Sequence, residues 1–272
     1  MPAFAINHMT APALSFARLA DLAATLGCAG VEARTDLGRP PFDGAEPAAA
    51  GAALRARGLR LLALAELARF NDWTGDRESE ALSLIRAAAA AGAEGVALIP
   101  RNDGAGLNNG ERQANLRVAL RALGPILEDH GLIGLIEPLG FETSSLRLKE
   151  EAAEAVEALG LRGRFRLVHD TFHHHLAGEA ALFPDLTGLV HVSGVEDPAP
   201  SASEMRDGHR VLPGPGDRLG SVAQIRALEA AGWRGVASVE CFAASVHALP
   251  DPEGALRRSM EFLRDGVARE AA

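Results

Sequence analysis

Short apolar runs alternate along this chain with stretches in which apolar residues recur every three or four positions. The first pattern suits strands covered on both faces, the second amphipathic helices. Eight runs read as strands: Ala3 to Asn7, Gly30 to Arg34, Leu59 to Leu67, Gly95 to Pro100, IGLIEPL from Ile133, Phe165 to Asp170, GLVHVSG from Gly188, and GVASVECF from Gly235. Helical faces fall between and after them. They comprise Leu19, Leu22 and Leu26; an Ala-rich stretch ending at Gly58; about Asp76 to Ala91; and Leu116, Leu120, Leu123 and Leu127. Lys149 to Leu159, a short helix after Asp170, Val222 with Ile225 and Leu228, and finally Leu256, Met260, Leu263 and Val267 complete the set. Pro125 should kink the fourth helix, because it lacks an N–H and crowds the preceding turn. Asp251-Pro252 offers the last helix a cap and a first-turn proline.

Strict strand–helix alternation implies a parallel sheet. Eight such units in 272 residues fit a closed (β/α)8 TIM barrel better than an open doubly wound sheet. No GxGxxG or Walker pattern follows the first strand, which removes the usual sign of the open alternative. Residues 1–272 therefore read as a single α/β barrel domain. One connection is too long for a plain turn. Gly194 to Asp217 carries Arg206, Asp207, His209 and Arg210, then PGPG. Loops longer than about 12–15 residues in a compact domain are usually functional or disordered. The segment reads as a lid bringing a cation over the barrel mouth; a tolerated surface insertion is the plain alternative.

Composition narrows the partners. A 47% hydrophobic, 23% charged chain can bury a core. The net charge of −9 argues against a nucleic-acid surface. No run of about 18 apolar residues could span a bilayer. The opening MPAFAINHMTAP has neither a basic region nor a long apolar one, so no signal peptide is expected. Cys28 and Cys241 form no CxxC pair, which suits a reduced, cytoplasmic protein. A homo-oligomer is compatible with all of this.

The chemistry sits where strands stop. In FRLVHDTFHHH an apolar run ends in Asp170, then Thr171, Phe172 and His173 to His175. Asp170 could simply cap the next helix. Three other strands, however, end similarly: Glu137 after GLIGLI, His191 after TGLV, and Glu240 after GVASV. In a barrel these ends lie together on the C-terminal face. Three carboxylates and an imidazole on consecutive strands suit one divalent cation, since without it the carboxylates repel one another. With no cysteine ligand, manganese, magnesium or cobalt fits the donors, although affinity alone favours zinc. Strand alternation turns His169 and Cys241 away from the lumen. Phe70 and Trp73 could wall a ligand or cap the barrel, and Trp233 reads as packing.

The stretches IEPLGF, LVHDTFHHH, LVHVSGVED, DGHRVLPGPGD and ASVECF, in this order, resemble the xylose-isomerase-like barrels, and among them the inosose (2-keto-myo-inositol) isomerases. ALAELARFN is more weakly similar. The resemblance implies that Glu137, Asp170, His191 and Glu240 bind one divalent metal, and that His173 and Arg210 contact substrate. His8 and Glu66, ending the first and third strands, join the expected substrate wall. Ser193-Gly194 before Glu196, the charged Glu142, and Asn7-His8 in place of an acidic residue depart from that pattern and bear on the substrate.

The expected partner is a small sugar or polyol ketone. A metal holding both oxygens of an α-hydroxyketone acidifies the intervening C–H and stabilises an enediolate. Glu137 and Glu240 are the expected proton carriers, giving an isomerase or an epimerase with no organic cofactor. An inosose dehydratase, a ketose 3-epimerase, a metal-dependent phosphodiesterase and a non-catalytic sugar-binding barrel are the alternatives. The phosphodiesterase needs extra histidines on strands two to four, which here end in Arg34, Glu66 and Arg101.

Overall fold

The computed structural model describes residues 2–268. Eight parallel strands close in sequence order, each paired with the next and the last with the first. They are β1 (Ala3–Asn7), β2 (Gly30–Arg34), β3 (Arg60–Ala68), β4 (Ala93–Ile99), β5 (Ile133–Ile136), β6 (Phe165–Asp170), β7 (Thr187–Val192) and β8 (Val236–Val239). The helices are α1 (Phe16–Thr25), α2 (Pro47–Arg55), α3 (Gly75–Ala91), α4 (Asn109–Asp129), α5 (Lys149–Ala158), α6 (Thr171–Ala177), α7 (Ser221–Ala230), the short α8 (Ala244–His247) and α9 (Pro252–Ala268). The expected (β/α)8 barrel is therefore present. No helix among the described residues is long and apolar enough to cross a membrane.

Two apolar layers hold it. The larger lies between strands and helices and takes the faces that periodicity picks out, including Leu19, Leu120, Leu123, Ile225, Met260 and Leu263. The smaller fills the lumen with Ala5, Leu62, Ala63, Leu135, Val168, Leu189 and Val236. Capping follows local chemistry: Ser15 and Thr74 accept N–H bonds at the starts of α1 and α3, and Asp251 accepts from Gly254 at α9.

The expectations differ from the fold at a few places. β5 ends at Ile136 and β8 at Val239, so the predicted strands overran their carboxyl ends. Glu137 N–H still bonds the Leu98 carbonyl and Glu240 N–H the Val192 carbonyl, and both share the parity of the lumen residues Leu135 and Val236, so alternation alone turns them inward. Pro125 lies inside α4, which remains one helix from Asn109 to Asp129. The 194–217 connection is not structureless. Gly194 and Val211 exchange backbone bonds at 2.8 Å, and Val195, Met205 and Leu219 pack with Phe172 and Leu176 in a third apolar cluster.

Candidate active site

Glu137 directly follows β5, Asp170 ends β6, His191 lies one residue from the end of β7, and Glu240 directly follows β8. Parallel closure puts these ends on one rim. All four side chains are buried, and one donor atom from each lies within 4.8 Å of the others. His191 is the hub. Its Nδ1 is 3.2 Å from Glu240 Oε2, 3.3 Å from Glu137 Oε2 and 3.9 Å from Asp170 Oδ2.

Asp170 caps the next helix and faces the cluster at once. Oδ1 caps α6, accepting from the Phe172 and His173 N–H groups at 2.7 and 3.1 Å. Oδ2 faces the cluster and accepts from Arg210 at 2.5 Å. The cap fixes χ1, and that aims the second oxygen.

The ring of His191 is held from behind. Its Nε2 lies 3.1 Å from Glu32 Oε2, a carboxylate that can only accept. Nδ1, though buried, has no aligned hydrogen bond among the described residues; its short contacts are charge contacts only. An imidazole nitrogen facing three carboxylate oxygens is a donor set that a divalent cation fits, displacing the proton that the carboxylates otherwise hold there. Oxygen donors with one imidazole suit Mg, Mn, Co or Zn.

Without a cation the carboxylates separate in proton affinity. Burial pushes Glu137 up to about 7, with Glu240 and Asp170 adding to the shift and His191 opposing it. Burial also opposes ionisation of Glu240, but His191, Arg210 and Arg34 outweigh it and hold Glu240 below the usual carboxylate range. The same charges act on His191: burial opposes its protonation, yet Glu240, Glu32 and Glu137 raise its pKa well above the ordinary value.

Of the residues expected to wall the substrate, the structure brings two to the cluster. Arg210 donates from Nη2 to Asp170 and, at 2.9 Å, to Glu240 Oε2, and its Nε donates to Ser193 Oγ at 3.2 Å. The guanidinium carbon lies 5.2 and 4.6 Å from the Phe172 and Phe242 ring centres. It is a buried plug rather than an exposed cation over the mouth. His173 packs edge-on against Phe141 and Phe172. Its Nδ1 accepts from Gly140 N–H at 3.3 Å, which leaves Nε2 toward Glu137 Oε1 at 3.9 Å. Gly140 is required for this approach, because a Cβ there would meet the His173 carbonyl at 2.2 Å.

The other two stand apart. His8 Nε2 lies 2.9 Å from the Leu14 carbonyl, and Arg39 donates to that same carbonyl at 2.5 Å, so the ring is committed to the loop after β1. Glu66 reaches the site only through Arg34, which donates to Glu66 Oε2 at 2.9 Å and to Glu240 Oε1 at 2.8 Å. Arg101 pairs with Asp72 and Asp103 on the outer rim. Three residues outside the expected site set bear on the cluster: Glu32, which the sequence reading left out, Arg34, which it named only as a strand end, and Asn7, noted only as a departure from the family pattern, whose amide donates to Glu240 Oε1 at 3.0 Å. The available signal was parity. Glu32 and Arg34 are two residues apart in an otherwise apolar strand, so both face inward.

Outside the lumen, His169 points away from Asp170 as expected. Lys149 Nζ donates to His169 Nδ1 at 3.0 Å, and His169 Nε2 bonds Gln224 at 2.9 Å. Gln224 in turn donates to the Thr171 carbonyl. This chain ties β6, α5 and α7 together beside Asp170. Cys241 and Trp233 are packed in the outer core, as is Phe70, with Trp73 against it.

Comparisons with known proteins agree with this geometry. Among solved structures, a xylose isomerase domain-containing protein from Salmonella typhimurium LT2 is 27% identical, with 97% of this chain and 96% of that one covered and a TM-score of 0.89. The IolI protein, solved with a bound zinc atom, shares 21% identity over 98% of each chain, with a TM-score of 0.83. D-psicose 3-epimerase from Clostridium cellulolyticum H10, solved with D-tagatose, shares 12% identity over 97% of this chain and 99% of that one, with a TM-score of 0.77. No curated protein sequence matches the chain. The family described as xylose isomerase-like TIM barrel matches residues 20–266, and this chain belongs to it.

Proposed function

We propose that this protein is a divalent-metal-dependent isomerase or epimerase acting on a cyclic polyol ketone or a ketose. Glu137, Asp170, His191 and Glu240 hold the cation, and Glu137 and Glu240 exchange protons with the substrate. The observation that carries the reading is the convergence of buried Glu137, Asp170, His191 and Glu240 within 4.8 Å, with both glutamates close to His191 Nδ1 at 3.3 and 3.2 Å.

The bound cation supplies Lewis acidity toward a ketone and its neighbouring hydroxyl. The chain does the rest. Glu240 stays ionised beside Arg210 and Arg34 and accepts the carbon-bound proton. Glu137, whose Oε1 faces His173 Nε2 at 3.9 Å, is the second proton carrier. His173 and Arg210 orient substrate oxygens. Phe141, Phe172 and Phe242 keep water from the reacting carbons.

Return of a proton to the opposite face of the same carbon is epimerisation, and return to the neighbouring carbon is isomerisation. The 3-epimerase neighbours of D-psicose and L-ribulose support the first, and the motif resemblance to inosose isomerases supports the second. Dehydration of an inosose would start from the same deprotonation.

The test is NMR of a panel of inososes and ketohexoses incubated with enzyme and Mn²⁺ in D₂O, with the metal chelated before measurement. Deuterium should enter at the carbon next to the ketone, and the position identifies the reaction. Elemental analysis of protein purified without chelator should find about one divalent ion per chain. Full turnover in chelated protein would end the reading.

A further inference from the structure

Glu32 is not one of the four converging residues, yet its side chain on the lumen wall has zero solvent exposure, as does that of Asp170. A buried carboxylate is costly unless it is paired. Its Oε2 lies 3.1 Å from His191 Nε2, across the lumen from β2 to β7, and Oε1 has no partner among the described residues. Among the described residues, His191 is thus the hydrogen-bond partner of Glu32.

We propose that Glu32 is a positioning residue, which selects the tautomer of His191 and so decides which nitrogen faces the cluster. A carboxylate accepts and cannot donate, so the ring carries its proton on Nε2. A ring protonated there presents a lone pair at Nδ1, the atom surrounded by Glu137, Asp170 and Glu240 at 3.2 to 3.9 Å. Without Glu32 the two tautomers are closer in energy, and the ring is free to turn about its χ2. Partners of this kind raise ligand basicity and fix ring orientation, and their loss typically costs 10–100-fold in metal affinity. The location explains why a strand that supplies none of the four ligands still has an acid in its middle. Residue 32 follows a shift in the β2–β3 register and sits beside Asn7 in the β1–β2 pairing.

The inference rests on the reading of the cluster as a divalent-cation site, and the experiment separates the two. Zn²⁺ affinity is measured by competition with a chromophoric chelator for wild type, Glu32→Gln and Glu32→Leu. In parallel, long-range ¹H–¹⁵N spectra of histidine-labelled, Zn²⁺-loaded protein report the His191 tautomer, assigned by signal loss in His191→Ala. Gln keeps an acceptor oxygen, so a loss of about fivefold is expected, against 10–100-fold for Leu. The wild-type spectrum should show a proton on Nε2 and zinc on Nδ1, and Glu32→Gln should preserve it. Wild-type zinc on Nε2 overturns the proposal, whether or not Glu32→Leu folds. Wild-type affinity in Glu32→Leu, with an unchanged spectrum, also overturns it and leaves the metal reading standing. If wild type itself takes up no metal, both fall together.

Discussion

Arg210→Met tests how the site is held together. Arg210 is 1% exposed and bonds two carboxylates whose side chains are 0% and 3% exposed, Asp170 and Glu240. Removing one partner of a buried ion pair leaves an uncompensated charge and costs about 3–5 kcal/mol. Met keeps most of the volume between Phe172 and Phe242, and sulfur–aromatic contacts recover about 0.3–1.5 kcal/mol. The net expectation in metal-free protein is therefore a loss of roughly 3 kcal/mol. For a chain of this size that lowers Tm by about 6 °C. A cation in the cluster would satisfy the same two carboxylates, so in saturating Mn²⁺ the Tm difference between wild type and variant should fall to about 2 °C. Differential scanning fluorimetry with and without chelator reads both differences. Turnover should drop in either case. An exposed Arg210 over the mouth would predict lost turnover with folding intact; its burial predicts both effects together. The argument fails if metal-free Arg210→Met melts within about 1 °C of wild type, because the two carboxylates would then need no guanidinium.

Further outcomes are expected from the same geometry. Glu137→Gln and Glu240→Gln, assayed in saturating metal, should each lose about 10²–10⁴-fold in turnover; α-proton exchange with D₂O shows whether one glutamate or both act, and turnover within a few-fold of wild type for both variants removes them from proton transfer. Burial lowers Lys149 to about 8, against ~10.4 in an unfolded chain, so the folded protein binds fewer protons between those values and its stability should rise with pH across that window, by about 3 kcal/mol at most. Urea midpoints from pH 7.5 to 10.5 should show that rise in wild type and not in Lys149→Met, and parallel curves would refute it. Gly140→Ala forces a Cβ against the His173 carbonyl, and overpacking of this kind should cost about 1–3 kcal/mol with a raised KM; an unchanged KM would separate His173 from substrate binding.

The sequence by itself determined the barrel and the identity of the four converging residues. Strand–helix alternation leaves a parallel sheet little choice but closure at this length, and closure brings every strand's carboxyl end to one rim. A polar residue ending a buried strand is therefore placed without knowledge of any contact. That is why Glu137, Asp170, His191 and Glu240 were legible, and why His169 and Cys241 could be turned outward by parity alone.

Only the tertiary structure decided depth and partnership. Period-two alternation says that Glu32 and Arg34 face inward, but not that Glu32 reaches His191 across the lumen while Arg34 reaches Glu240. Those contacts join residues 159 and 206 positions apart and depend on the stagger of neighbouring strands, including the register shift between Val31 and Glu32. His8 directly follows β1 as Glu240 follows β8, yet it turns into the following loop, because the Leu14 carbonyl is there to receive it. Arg210 looks like a loop cation in the sequence; the Gly194–Val211 bridge and the third apolar cluster draw that loop inward and bury the guanidinium among the carboxylates. Local pattern specifies which face a side chain takes, whereas the partner it finds is set by distances between strands that never meet in sequence.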